Sequence, residues 1–305
     1  MKAARLVSVG NVIVDITLRI PALPERGGDV IARNTGSTPG GAFNTLVAAA
    51  RQGLDCAYGG GHGTGPLGDR VRTALRNEGI EVLLDPTADS DTGFDIALVD
   101  DEGERTFVTV FGAEAQVTAP AIAGIRLVDG DLVHSSGYGL LARTNASVLG
   151  PWIAGIGPGH TVLLDPGPLG LEIPPAVLAS VAGRVDWLSC NLREALQLSG
   201  AADARGAAAE LRETWRAVVI RLGPEGCLLL DDEVELVPGF AVGVLDTNGA
   251  GDAHTGAFLA GLAEGGSARD AALRANACAA LAVTRRGPAT APTIAEVQSL
   301  LDGAN

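Results

Sequence analysis

From residue 5 to residue 284, short apolar runs alternate with Ala- and Leu-rich stretches of helical length, the pattern of repeated βα units. Residues 5–10, 55–60 and 80–84 are predicted strands, with predicted helices at 44–52 and 67–77 between them. The second half repeats the logic, with strands at 161–164, 185–189 and 217–221 and consecutive helices at 249–264 and 268–284. Parallel strands need crossover helices, so this order predicts an α/β fold around a mostly parallel sheet. At 305 residues and 47% hydrophobic, the chain can bury a large core, as one large domain or two ordinary ones. Only 4% of residues are aromatic while 42 are Gly, so the core is predicted to be Leu/Val/Ile/Ala with close backbone approaches. A GC-rich genome explains the Ala and Gly excess equally well.

Two regions break the alternation. Residues 11–20 and 29–32 read as extended, separated by Pro21, Pro24 and a Gly pair. Residues 93–100 and 105–111 flank Asp101-Glu102-Gly103-Glu104, a hairpin signal. These are predicted lid strands, within 11–34 and 93–111, projecting from the α/β body over a cleft. Ordinary edge strands of the main sheet are the plainer alternative.

A formal charge of −14 disfavours a general affinity for nucleic acid, which needs a basic footprint. It leaves room for a phosphorylated ligand held by local N–H groups, Arg or Mg²⁺. Lys2 is the only lysine, so an essential side-chain cation elsewhere must be Arg. Cys56, Cys190, Cys227 and Cys278 show no CxxC spacing, which points to a reducing compartment and no thiol–metal cluster. The first residues, MKAARLVSVGNVIVDI, read as a strand rather than a signal peptide, and no apolar run approaches the ~20 residues of a membrane span. The expected location is cytoplasmic, with no membrane partner.

The chemistry concentrates in Asp246-Thr247-Asn248-Gly249-Ala250-Gly251-Asp252, which runs straight into an apolar helical stretch. Backbone donors at Gly249, Ala250 and Gly251, backed by a helix N-terminus, suit the charge of a phosphoryl group. Asp252 beside them could accept the proton of an attacking hydroxyl. A glycine-rich turn with an acidic first-turn residue is the bland alternative. The chain has neither a GxxxxGK[ST] loop nor the HRD/DFG pair of protein kinases, so phosphoryl transfer would need another architecture.

DTNGAGDAHTGAF, at 246–258, resembles the C-terminal signature of the PfkB/ribokinase family of sugar and nucleoside kinases. VGNVIVD at 9–15, PGGAFNTLVAAARQG at 39–53, the glycine-rich GGGHGTGPLGD at 59–69, CNLRE at 190–194 and VIRLGPEG at 219–226 resemble its other motifs in order, over nearly the whole chain. The resemblance implies one kinase domain over 1–305, a ribokinase-like three-layer α/β/α body with a small projecting β-sheet lid. It implies Asp252 as catalytic base and Gly249, Ala250 and Gly251 as the anion hole. Asn191 and Glu194 would organise Mg²⁺ and nucleotide phosphates, Glu194 through water, while Arg221, Gly223 and Asn276 would approach ATP. Asp246 and Asn248 are the residues offered to a monovalent cation such as K⁺, although Asn248 stands where Thr is frequent.

On the acceptor side, the resemblance gives Asp15 to adjacent sugar hydroxyls, Gly40 and Gly41 to close approach of a polyol, and Asn44 to the rim. Ala42 replaces a Lys frequent in ribokinases, which loosens the case for ribose itself. Phe43, Phe94, Phe107 and Tyr138 could face a nucleoside base, although each alone is more often core. His134 lies at a predicted strand end, and neither it nor His62 or His254 has a second ligand at metal-site spacing. Arg33, Arg105 or Arg143 could meet the phosphate of a phosphosugar. The implied reaction is ATP-dependent phosphorylation of a primary hydroxyl on a small sugar. Adenosine or pseudouridine kinase, phosphosugar kinase and a catalytically silent sugar- or nucleotide-sensing protein are the alternatives. Relatives sometimes dimerise through the projecting sheet, so a homodimer through the lid strands is expected.

Overall fold

Alternate side chains of the apolar runs feed two separate cores. In the computed structural model, which describes residues 4–102 and 104–303, the strands are β1 (Arg5–Ser8), β2 (Val12–Arg19), β3 (Arg33–Gly41), β4 (Asp55–Tyr58), β5 (Glu81–Val82), β6 (Phe94–Val99) and β7 (Arg105–Val110). They continue as β8 (Leu132–Ser136), β9 (Thr161–Asp165), β10 (Trp187–Asn191), β11 (Ala217–Arg221), β12 (Gly226–Leu230) and β13 (Val234–Pro238). The helices are α1 (Ala42–Arg51), α2 (Pro66–Asn77), α3 (Ala119–Ala123), α4 (Gly137–Leu141), α5 (Arg143–Ala154) and α6 (Pro175–Ala182). After them come α7 (Leu192–Ser199), α8 (Ala204–Arg212), α9 (Ala250–Ala263), α10 (Ala268–Ala282) and α11 (Ile294–Gly303).

Nine strands form one sheet in the order β13-β12-β11-β10-β9-β8-β1-β4-β5, parallel except where β12 joins β11 and β13. Leu6, Leu163 and Val219 point to one face, against α1, α9 and α10. Val7, Leu164 and Val218 point to the other, against α5, α7 and α8. The period-two alternation therefore gives the three α/β/α layers directly. No helix among the described residues is long and apolar enough to cross a membrane.

Helix α9 is buried from Ala253 to Gly261 and packs between α1 and α10. A Cβ on Gly256 would lie 2.4 Å from the Thr45 carbonyl oxygen, and one on Gly261 would lie 2.8 Å from Ala271 Cβ. The Gly and Ala excess thus has a local use here: it lets three helices approach closely.

The second sheet is the lid, in the order β3-β2-β6-β7, with β2 and β6 parallel and the outer pairs antiparallel. The predicted hairpin forms between β6 and β7, and the Asp100 carboxylate accepts the N–H groups of Glu102 and Glu104. Gly103 of the predicted turn lies outside the described residues, as do Lys2 and the other ends at 1–3 and 304–305. Residues 29–32 are not a strand, contrary to expectation. Pairing with β2 begins only at Arg33 opposite Arg19, and Ile31, lacking a partner strand, is exposed. The lid strand β3 therefore runs to Gly41, past the predicted limit of 34.

Gly256→Ala forces a Cβ onto the α1 backbone and is expected to cost about 1–3 kcal/mol. Gly206→Ala, where the new Cβ makes ordinary contacts with Ala201 Cβ at 3.4 Å and Asp203 Oδ1 at 3.5 Å, is expected to be neutral or stabilising by up to about 1 kcal/mol. Urea midpoints of the two variants measure this. Equal effects would remove the close-approach explanation.

Candidate active site

The parallel strands end at a cleft of about 430 Å³ roofed by the lid. Carboxyl ends of such strands are where α/β sheets place ligands, and here they supply Ser136 from β8, Asp165 from β9, Asn191 from β10 and Arg221 from β11. From the lid come Asp15, Asp95, Phe107 and Thr109.

Gly249 turns the chain into α9 with φ of 75°, and a Cβ there would lie 2.0 Å from the Pro288 carbonyl oxygen. No side chain caps this helix. Gly249, Gly251 and Asp252 line the cleft, whereas the Ala250 N–H donates to Thr247 O at 3.3 Å. Asn44 Nδ2 donates to Asp252 Oδ2 at 3.0 Å, and Thr45 Oγ1 donates to Oδ1 at 3.2 Å. The packing of α1 on α9 thus fixes both oxygens of one acid. Its recessed position raises the Asp252 pKa from 3.8 to about 6, against the lowering effect of the Asn44 bond.

Asn191 and Glu194 both line the cleft and form a reciprocal capping box at the start of α7. Glu194 Oε2 accepts the Asn191 N–H at 2.8 Å. Glu194 is buried, and burial raises its pKa with help from Asp165. Arg221 donates from Nη1 to Asp165 Oδ2 at 3.0 Å and to Ser189 Oγ at 2.6 Å, with Glu194 Oε2 3.6 Å from Nη2. Burial works against its charge, but Asp165 and Glu194 outweigh it and hold the guanidinium protonated. A Cβ on Gly251 would sit 3.4 Å from that guanidinium, so a cation flanks the anion turn.

No group of three or more His, Cys, Asp and Glu among the described residues could cage a metal. A hydrated Mg²⁺ bound through one or two carboxylates and substrate phosphates fits Glu194 and Asp165 better than a cage would. The uncapped α9 terminus with its glycines fits the phosphates of ATP.

Two expectations are corrected. Asn276 does not reach the cleft: its Nδ2 donates to the Val237 and Pro238 carbonyls and its Oδ1 meets His254 Nε2 at 3.1 Å, an internal brace. Gly223 shapes the turn after β11 with φ of 63° and does not line the cleft. Asp246, offered to a monovalent cation, is held by donors of this chain. Its Oδ1 accepts Arg105 Nη2 at 2.7 Å and the Asn248 N–H at 2.9 Å, and its Oδ2 accepts the Gly287 N–H at 3.1 Å. Burial works against its charge, yet these donors hold its pKa below the usual carboxylate range. Asn248 does line the cleft.

On the acceptor side, Asp15, Gly41 and Asn44 line the cleft. Gly40 stands behind Asp15, where a Cβ would come within 2.1 Å of Oδ2. Phe107 and Tyr138 line the cleft, joined by Phe111, whereas Phe43 and Phe94 belong to the core below. His134 also lines it, its Nδ1 2.8 Å from Ser8 Oγ, and burial lowers its pKa to about 4, so it is neutral. Arg33 and Arg143 are exposed and outside the cleft, and Arg105 is committed to Asp246. Sequence reasoning missed Asn11, Thr45, Asp95 and Asp165. The available signals were an acid just past a predicted strand end for Asp165 and a lone acid inside a lid strand for Asp95.

A family model described as pfkB family carbohydrate kinase matches residues 3–294. The chain is similar to YegV of Escherichia coli (strain K12), named an uncharacterized sugar kinase, at 34% identity over 95% of this chain and 91% of that protein. It is also similar to an ATP-dependent ribose-1-phosphate kinase of Halopiger xanaduensis, at 31% identity over 97% of this chain and 98% of that protein. Among solved structures, a ribokinase from Thermotoga maritima superposes with a TM-score of 0.82 at 25% identity, over 98% of this chain and 99% of that one.

The raised Asp252 pKa has a consequence for stability. Below 3.8 the group is neutral in both folded and unfolded chains; as pH rises through about 6 the unfolded chain ionises first and stability is lost. Asp252→Asn removes that loss. The variant is expected to be more stable than the parent by about 1–2 kcal/mol near pH ~8, the gap closing below pH ~4. Denaturant titrations at the two pH values measure it; a less stable variant at the higher pH would contradict the electrostatic account.

Proposed function

The chain belongs to the pfkB family of carbohydrate kinases, and from that premise we propose that it transfers the γ-phosphoryl group of ATP to a primary hydroxyl of a small sugar. One observation carries the reading: Asp252, oriented through both oxygens by Asn44 and Thr45, stands in the first turn of an uncapped helix and inside the electrostatic reach of Asp15. Bound Mg–ATP would supply the phosphoryl group and neutralise its charge.

The chain's own groups do the rest. Asp15 and Asn44 orient the acceptor hydroxyls. Asp252, ionised at neutral pH but more basic than an ordinary aspartate, accepts the proton of the attacking hydroxyl. Gly249 and Gly251 leave the α9 N-terminus open to the charge that develops on transfer, with Arg221 alongside. The lid excludes bulk water. Asn191 and Glu194, with Asp165, would hold Mg²⁺ through its waters. A nucleoside is the second reading, favoured by Phe107, Phe111 and Tyr138 on the cleft wall.

Along strand β7 the cleft-lining Phe107 and Thr109 alternate with the exposed Val108 and Val110. This apolar edge supports a homodimer through the lid strands. Cytoplasmic residence is the accompanying proposal.

Ribose, fructose, ketodeoxysugars, adenosine, pseudouridine and fructose 6-phosphate, each offered with Mg–ATP, test the activity by acceptor-dependent ADP release. At least one is expected to turn over, and Asp252→Asn to lower kcat by about 100- to 10,000-fold. Silence across the panel would sink the kinase reading, and near-normal turnover by the variant would remove Asp252 as base. For assembly, light scattering across a dilution series is expected to report a dimer; a monomer mass at every concentration rejects it.

A further inference from the structure

The acceptor end of the cleft carries a second acid that the kinase reading does not use. Asp95 stands directly opposite Asp15 in the parallel register of β2 and β6, so both side chains leave the same face of the lid. Strand register places the two carboxyl groups side by side, and both line the cleft. Burial raises both pKa values, and the charge of Asp252 raises that of Asp15 further. No ion pair among the described residues includes Asp15, Asp95 or Asp252. The cleft's one guanidinium, Arg221, is bonded to Asp165.

Three buried polar atoms of cleft-lining residues lack a partner: Asp95 Oδ1, Asn44 Oδ1 and Asn11 Nδ2. Asp95 itself is only 8% exposed. Two of the orphans accept hydrogen bonds and one donates. Hydroxyl groups satisfy both kinds, because each donates and accepts. An ammonium group would answer the two acceptors and leave Asn11 unpaired. A phosphate dianion has only acceptors to offer, and would meet three carboxylates at this end of the cleft.

We propose that Asp95 is a second acceptor-binding carboxylate, and that the Asp15–Asp95 pair restricts the acceptor to an uncharged polyhydroxy compound and rejects its phosphorylated counterpart. The proposal rests on the kinase reading for the identity of the acceptor end. It also sets this chain apart from the relative named a ribose-1-phosphate kinase.

Titration calorimetry without nucleotide, using the full chain, separates the two claims. The probes are ribose against ribose 1-phosphate, fructose against fructose 6-phosphate, and adenosine against AMP. At least one uncharged member is expected to bind, with its phosphorylated partner at least about 100-fold weaker, a charge effect that reads directly as an affinity ratio. Asp95→Asn should weaken the uncharged ligand about 10-fold and strengthen the phosphorylated one, collapsing that ratio. In the parent, heats in two buffers of different ionisation enthalpy should reveal a change in bound protons that Asp95→Asn abolishes, a signature no purely structural role would give. A phosphorylated ligand binding as tightly as its partner, no uncharged ligand binding at millimolar concentration, or an unchanged ratio in the folded variant overturns the proposal. Should Asp95→Asn fail to fold, the parent ratio and proton count decide alone. A bound sugar that yields no ADP with Mg–ATP would instead fault the kinase reading and leave this one standing.

Discussion

Everything around the start of α9 depends on one carboxylate held by a neighbouring helix. Asp252 points into the cleft because Asn44 and Thr45, consecutive on α1, take one oxygen each. That clamp exists only because α1 and α9 approach closely at Gly256. The same packing that fills one core therefore sets the direction of this carboxylate. A loop could carry Asp252 but could not hold both oxygens against thermal motion. The clamp leaves Asn44 Oδ1 and the cleft side of the acid for an acceptor.

Electrostatically, the cleft is divided. At one end Arg221 lies between Asp165 and Glu194 and against Gly251, so a guanidinium stands where phosphates would sit. At the other, Asp15 and Asp95 stand opposite each other in strand register, and burial raises the pKa of both. An acid-rich chain with a formal charge of −14 can thus host an anion in one half of a cleft and repel it from the other. Local arrangement decides this, because side chains committed to partners in low dielectric outweigh a screened global field.

Much of this was legible in the sequence, and for identifiable reasons. The parallel sheet followed from apolar runs alternating with helical stretches, and the anion turn from Gly249, Gly251 and Asp252 immediately before an apolar helix. What sequence could not supply was partnership across long separations. Asp95 and Asp15 are 80 positions apart and meet only through strand register. Asn276 reads as a polar residue free to meet a ligand, but its three hydrogen bonds go to residues brought in from β13 and α9. The extent of β3 was likewise hidden, because Thr35 to Gly41 has little intrinsic strand preference and is ordered by pairing with β2.

The lid and the anion turn are mechanically one unit. Arg105, the first residue of β7, reaches Asp246, and the same Asp246 holds the N–H groups of Asn248 and Gly287. Those two contacts tie the turn before α9 to the loop whose Pro288 carbonyl sits against Gly249. A lid strand that carries acceptor-facing Phe107 and Thr109 is thereby joined, through one ion pair, to the segment that positions the helix N-terminus. Neither group is fully exposed, with side-chain exposures of 29% and 15%, so the pair escapes most of the screening that makes surface ion pairs weak. One contact, made entirely from this chain's own residues, thus joins a lid strand to the segment before α9.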